Sequence, residues 1–449
     1  MRIGIVLTLM VPAIFAGAFA LPAFSDNAGA STAPATGAPS TTDYAAVPLS
    51  AMAELGKKMF YDAALSASGR QSCASCHDPS TAYAPANDLA VQLGGPHMDQ
   101  PGIRAVPSLD YMGTTPVFEI GPESLSEVEG AQPGPLARSA TGQSKADMAA
   151  QGAANPVPEG GFFWDGRADT LEEQPTGPLL SPFEMANASV HDVVSRLAAA
   201  PYAGDFRALF GATIFDDEAM AMSEASFALA RFQLEDPSFH AFSSKYDAYL
   251  AGKATLSPDE AAGLRLFEDP RKGNCSSCHL DRPTTDGQPP VFTDFEYEAL
   301  AVPRNPAIPA NRDPHYFDLG ICGPMRTDAY AQQPANCGLF KTPTLRNVAT
   351  RHVFFHNGVY ASLTDVVRFY VQRDTHPELI YPRLPDGDVD TFNDIPLLDR
   401  PNVDVIDAPF DRHIGQPPAL DDDEIAQVVA FLKTLTDGYT PSPTTARSN

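Results

Sequence analysis

Four of the six cysteines in this chain stand in two copies of one short pattern, Cys73-Ala-Ser-Cys76-His77 and Cys275-Ser-Ser-Cys278-His279. In C-x-x-C-H spacing two thiols reach the vinyl groups of one haem, and the adjacent imidazole turns back onto the iron. Two other chemistries use paired cysteines, a four-cysteine zinc site and a redox dithiol. A zinc site does not need a trailing His twice. A redox dithiol accompanies a βαβ pattern that is missing from this sequence. The reading is two covalently attached haem c groups, with His77 and His279 as iron ligands. The remaining pair, Cys322 and Cys337, predicts a disulfide closing a loop of about 15 residues in an oxidising compartment. Two free buried thiols are the alternative.

Between the two motifs lie side chains that suit catalysis better than simple electron carriage. Phe162-Phe163-Trp164-Asp165-Gly166-Arg167 holds the only Trp of the chain. A lone Trp reads equally well as core. Gln174 and Glu184 stand ten residues apart. Beside a haem they would move protons on and off peroxide oxygens; elsewhere they are ordinary surface side chains.

These residues need elements to hold them. The chain has 449 residues, which suggests two domains, with 43 Pro and 32 Gly. Such a composition excludes mostly long helices or sheet. A helix starting near Ser50 places Met52, Leu55, Met59 and Phe60 on one side and leads into the first haem motif. The capping box Ser257-Pro258-Asp259-Glu260 opens a second helix, with Leu264 and Phe267, ahead of Cys275. Asp421 and Glu424 cap a third, with the stripe Ile425, Val428, Val429, Leu432 and Leu435. Ser362 and Asp365 cap a fourth, which sets Leu363, Val366, Val367, Tyr370 and Val371 on one face. No convincing alternating strand pattern is present. The expected architecture is mainly α, two cytochrome c-like haem domains with long Pro/Gly-rich loops.

The N-terminus reads as a signal peptide over residues 1–25, with Arg2 before an apolar run; an uncleaved anchor is the alternative. Residues 26–45 read as a flexible linker, 46–251 as the first haem domain, 252–439 as the second and 440–449 as a disordered tail. No other run is long and apolar enough for a membrane, so a soluble, periplasmic protein is expected after signal cleavage. The net charge of −26 disfavours nucleic acid and anionic membranes and favours basic protein partners, or simply keeps the protein soluble.

Taken together, the chain resembles the bacterial diheme cytochrome c peroxidase family, and within it the MauG-like branch. The resemblance rests on Leu55-Gly56-Lys57, Leu65-Ser66, both C-x-x-C-H motifs, Trp164-Asp165-Gly166-Arg167, Glu173-Gln174, Gly177-Pro178 and Glu184-Met185. It continues through Lys341-Thr342-Pro343-Thr344-Leu345-Arg346-Asn347 and Phe355-His356-Asn357-Gly358. It implies that the N-terminal haem reacts with H2O2, that the C-terminal haem transfers electrons, that Trp164 couples them, and that Gln174 and Glu184 are distal groups. A family distal His would match His97, seven residues before Arg104; an exposed loop His is the other reading. Family peroxidases carry a Met ligand fourteen residues after the His of Phe-His-x-Gly. That position is Tyr370 here, as in the MauG-like branch. Met favours Fe(II), whereas a phenolate is hard and anionic and favours Fe(III) and above. The family also binds Ca2+ between the haems through an Asn side chain and two carbonyls. The Asn position is Ala105, the carbonyl positions are Arg351 and Val353, and the side-chain ligand is lost. The implied activity is H2O2 reduction with electrons from a redox protein donor. Two alternatives stand: oxidation of Trp or Tyr side chains of a protein substrate, and a diheme electron carrier without catalysis.

Overall fold

The structure, a computed structural model, describes residues 48–122, 156–284 and 287–441. The expected signal peptide, linker and most of the expected tail lie outside the described residues. The described helices are α1 (Ala51–Phe60), α2 (Thr176–Leu180), α3 (Val190–Ala199), α4 (Ala203–Phe210) and α5 (Glu218–Glu235). They continue with α6 (Lys245–Leu250), α7 (Pro258–Glu268), α8 (Leu363–Gln372), α9 (Pro377–Ile380) and α10 (Asp422–Lys433).

Local chemistry starts four of these helices where the sequence predicts. Ser50, Ser257, Ser362 and Asp421 each accept a backbone N–H of the first turn through the side chain. Ser257 with Glu260, and Asp421 with Glu424, form complete capping boxes. α6 begins at Lys245, because Ser244 caps the backbone there.

Two hydrophobic clusters form the cores. The first gathers Leu55, Met59 and Phe60 of α1 with Leu197, Phe206, Leu229 and Phe232. The second gathers Phe267 of α7, Val367 of α8, and Ile425, Val428 and Phe431 of α10. The same crossing device recurs in both. At Gly56 a Cβ would stand 1.9 Å from the Ala228 carbonyl oxygen of α5; at Gly263 of α7 it would stand 1.9 Å from that of Gln427 in α10. Only glycine lets the backbones approach so closely. The likeness of the halves thus extends beyond the haem motif to the helix pair that supports it. The expected boundary at residue 251 falls after α6, yet Tyr246 of α6 packs in the second cluster and Asp247 pairs with buried Arg346 at 2.6 Å.

Three short antiparallel ladders pin the loops: β1 (Leu93–Gly94) with β2 (Gln100–Pro101), β3 (Glu119–Pro122) with β4 (Pro156–Glu159), and β5 (Tyr297–Glu298) with β6 (Phe340–Lys341). At two to four residues each they are too short to show alternation. Cys322 and Cys337 form the expected disulfide, with their Cα atoms 4.9 Å apart. Among the described residues no helix is long and apolar enough to cross a membrane.

Candidate active site

Each C-x-x-C-H motif folds into the same tight turn. Cys73–Ser75 and Cys275–Ser277 are single 3-10 turns, and the backbone N–H of the His donates to the first Cys carbonyl at 2.9 Å in both. The turn gathers two thiols and an imidazole on one wall of a cavity. Cys73, Cys76 and His77 line one cavity; Cys275, Cys278 and His279 line another. The motifs are therefore apart, and their four thiols do not converge on one zinc-like site.

The donor chemistry fits haem. His77 Nδ1 engages the Tyr83 carbonyl at 3.0 Å and His279 Nδ1 that of Phe292 at 2.9 Å, which leaves Nε2 as the metal-binding nitrogen. Burial holds both imidazoles down to about 4, so both rings are neutral. Burial raises the Cys73 and Cys275 thiols to about 12. Both rings of donors face walls rich in Phe, Leu, Val and Met, the surroundings a porphyrin requires. His77, Cys73 and Cys76 would hold one haem, and His279, Cys275 and Cys278 the other.

Trp164 lines both cavities. It is held on two sides: its indole N–H donates to the Ala105 carbonyl at 2.8 Å, and its own carbonyl accepts the Lys341 backbone N–H at 2.9 Å. The next residue anchors the loop. Burial alone would raise the Asp165 carboxyl, but Arg104 at 2.7 Å and Arg167 at 2.9 Å hold it below the usual carboxylate range. Arg104 also binds Asp318 at 2.7 Å. Gly166 follows at φ 65°, where a Cβ would meet the Tyr297 hydroxyl at 2.1 Å.

Gln174 and Glu184 both line the first cavity. Burial raises the Glu184 carboxyl above its ordinary value, and Arg167 and Ser181 offset part of the rise. Arg167 lines the same cavity with its guanidinium 3.6 Å from the Phe163 ring. His97 sits between β1 and β2, exposed, and does not line the cavity, although that hairpin rests on the Glu184 loop through Gly95 N–H to Glu184 O at 2.9 Å.

The α8 face lines the second cavity as a stripe, with Leu363, Val366, Val367, Tyr370 and Val371. Tyr370 stands among aromatic rings, 5.6 Å from Phe410 and 5.9 Å from Phe355. Tyr370 and His279 thus share one cavity. At the expected calcium position Ala105 offers only a methyl group, and Arg351 Nη2 donates to the neighbouring Val106 carbonyl at 3.1 Å. Burial lowers Arg351 to about 10, so it stays cationic. Sequence reasoning gave no role to Arg104 or Lys341 and missed Met325. Met325 lines the first cavity from the disulfide-closed loop; nothing in its neighbours along the chain marks it.

Residues 50–255 match the model of the di-haem cytochrome c peroxidase family. The methylamine utilization protein MauG of Paracoccus denitrificans is 32% identical over 398 residues, covering 86% of this chain and 89% of MauG. Cytochrome c551 peroxidase of Nitrosomonas europaea is 28% identical, covering 86% of this chain and 80% of that one. The crystal structure of the diheme peroxidase BthA from Burkholderia thailandensis superposes with a TM-score of 0.73 at 38% identity, covering 87% of both chains. A non-catalytic carrier is not what such relatives are. With two cavities furnished for haem and relatives on this scale, the chain belongs to the MauG-like diheme peroxidase family and is an oxidoreductase built around two haems.

Proposed function

We propose that this protein is a periplasmic oxidoreductase that reduces H2O2 at the first cavity with electrons drawn from a protein partner through the second. The observation that carries the reading is Trp164, which borders both cavities while Glu184 and Gln174 stand in the first and Tyr370 in the second. Haems held by Cys73, Cys76 and His77 and by Cys275, Cys278 and His279 would supply O–O cleavage and store the oxidising equivalents. The residues do the rest. Glu184, its carboxyl buried in the first cavity beside Arg167, is placed to relay a proton from one oxygen of H2O2 to the other, which would leave as water. The Gln174 amide orients the peroxide. The Trp164 ring, fixed at its indole N–H and its carbonyl, passes electrons between the cavities. His97 is exposed and does not line the cavity, so peroxide would not have to displace it.

Tyr370 favours a second reading within the same chemistry. A phenolate on iron makes a ferric haem hard to reduce. The electrons would then come from Trp or Tyr side chains of a protein substrate rather than from a small redox carrier.

Glu184→Gln tests the first step. Loss of one acid–base group should slow the reaction with H2O2 by about 10²–10⁴-fold with both haems still bound. Stopped-flow mixing with peroxide measures it, and an unchanged rate removes Glu184 from the mechanism.

A further inference from the structure

The proximal side of the first cavity carries a second arrangement of redox-capable side chains, which the reading above does not use. The Tyr83 carbonyl accepts from His77 Nδ1 at 3.0 Å. Its ring is buried, stacked 3.8 Å from Phe239 and edge-on at 6.0 Å to Phe60, and Phe60 lines the cavity. The Tyr83 hydroxyl lies 2.5 Å from Ser238 Oγ, and Ser238 Oγ donates to Asp236 Oδ1 at 2.7 Å. Serine has one hydroxyl proton. Ser238 commits it to the carboxylate, so the phenol is the donor in the first bond. The chain therefore runs one way, from the Tyr83 O–H through the Ser238 O–H to Asp236.

The two ends are in the right states. Burial alone would raise the Asp236 carboxyl, but Ser238 and Lys57 hold it below the usual range, so it is an ionised proton acceptor. The Tyr83 phenol, which donates to Ser238, carries its proton until it is oxidised. Beside it stands Tyr61, the C-cap of α1, 46% exposed, its ring 5.3 Å from that of Phe60, which in turn lies 6.0 Å from the Tyr83 ring. Lys57 and Asp236 flank Tyr61.

We propose that Tyr83 and Tyr61 form a one-electron path from the first haem site to the surface, where Tyr61 oxidises phenolic donors. The path rests on the peroxide reading. An electron leaves Tyr83 toward the His77 side while its phenolic proton passes to Ser238 and the Ser238 proton passes to Asp236, giving a neutral tyrosyl radical. Without this relay the oxidised phenol would hold a positive charge in an apolar site, at high cost. Tyr61 then gives an electron to Tyr83, whose proton returns from Asp236 through Ser238, and the Tyr61 proton goes to solvent. A phenol at the surface restores Tyr61 with one electron and one proton. Over two such passes, H2O2 and two phenols become two waters and two phenoxyl radicals.

The holoprotein, mixed with equimolar H2O2 and no partner protein, should give a tyrosyl radical by freeze-quench magnetic resonance. The spin trap 2-methyl-2-nitrosopropane should label the peptide carrying Tyr61, as read by mass spectrometry. Tyr61→Phe should keep the radical on Tyr83 and reduce oxidation of hydroquinone, the phenolic probe, to the level of peroxide alone. Tyr83→Phe should abolish the label at Tyr61, and Ser238→Ala should slow radical formation. Haem content is measured in every variant, so a misfolded protein is recognised. An unchanged label in Tyr83→Phe, or unchanged hydroquinone oxidation in Tyr61→Phe, overturns the path. A normal optical response to peroxide without any tyrosyl signal overturns the path alone; no optical response overturns the peroxide reading and the path with it.

Discussion

Tyr370, which shares the second cavity with His279, is the residue on which the two proposed readings differ. Its position was legible as a count from His356 and as one member of the apolar stripe on α8. The tertiary structure adds that the whole stripe lines the cavity of His279. With a phenolate ligand the fully oxidised protein should react with H2O2 directly, without prior reduction. Tyr370→Met should raise the reduction potential of that haem and make prior one-electron reduction useful. Tyr370→Phe should alter the low-spin ferric signal. Peroxide kinetics of the oxidised protein, paired with magnetic resonance, distinguish the cases. A diferric protein inert until reduced would return the assignment to a conventional peroxidase. Other residues at this scale were illegible. Arg104 contacts Asp165 and Asp318, 61 and 214 residues away, and no spacing rule reaches so far.

At the scale of elements, the two helix pairs support the C-x-x-C-H turns. Caps reveal where α1, α7, α8 and α10 begin, because a cap is a bond between residues three apart. α5 escaped the sequence reading, since Ala221, Ala225, Ala228 and Phe232 are buried together with Ser226 and Gln233 and leave no clean stripe. The crossings depend on Gly56 and Gly263. Alanine at either would place a methyl within 1.9 Å of a backbone carbonyl oxygen, which no rotamer change relieves. Gly56→Ala should cost about 1–3 kcal/mol or more and impair haem attachment at His77 before it affects His279; Gly263→Ala should do the reverse. Haem staining with a separate absorbance assay for each site reads this out.

At the scale of the molecule, a buried contact ties the two clusters together. Asn347 Nδ2 donates to Asp110 at 2.6 Å and to Asp437 at 2.9 Å, and Tyr111 donates to Asp437 at 2.6 Å. Burial raises Asp110 from 3.8 to about 8, with Asn347 partly opposing it. Between those values the folded protein holds a proton that the unfolded chain releases. Stability therefore falls as pH rises through that window, by at most about 1.4 kcal/mol per unit. Asp110→Asn keeps an acceptor for Asn347 and removes the titration. Its unfolding free energy should fall less steeply than that of the wild type between about pH 4 and 8, as measured by chemical denaturation.

What the sequence determined alone was whatever depends on residues close along the chain: the C-x-x-C-H turns, the helix caps and the stripe that carries Tyr370. These rest on bonds within a few residues or on one helical period, so spacing encodes them. Only the tertiary structure decided that Trp164 borders both cavities, that Glu184 and Gln174 share one of them with Arg167, and that His97 lies outside it. Those facts depend on long Pro/Gly-rich loops whose paths are set by distant partners, among them Arg104 to Asp318, Lys341 to Trp164 and Ala105 to His356. A loop with no period of its own takes its course from whatever it packs against, and that information is spread over the whole chain.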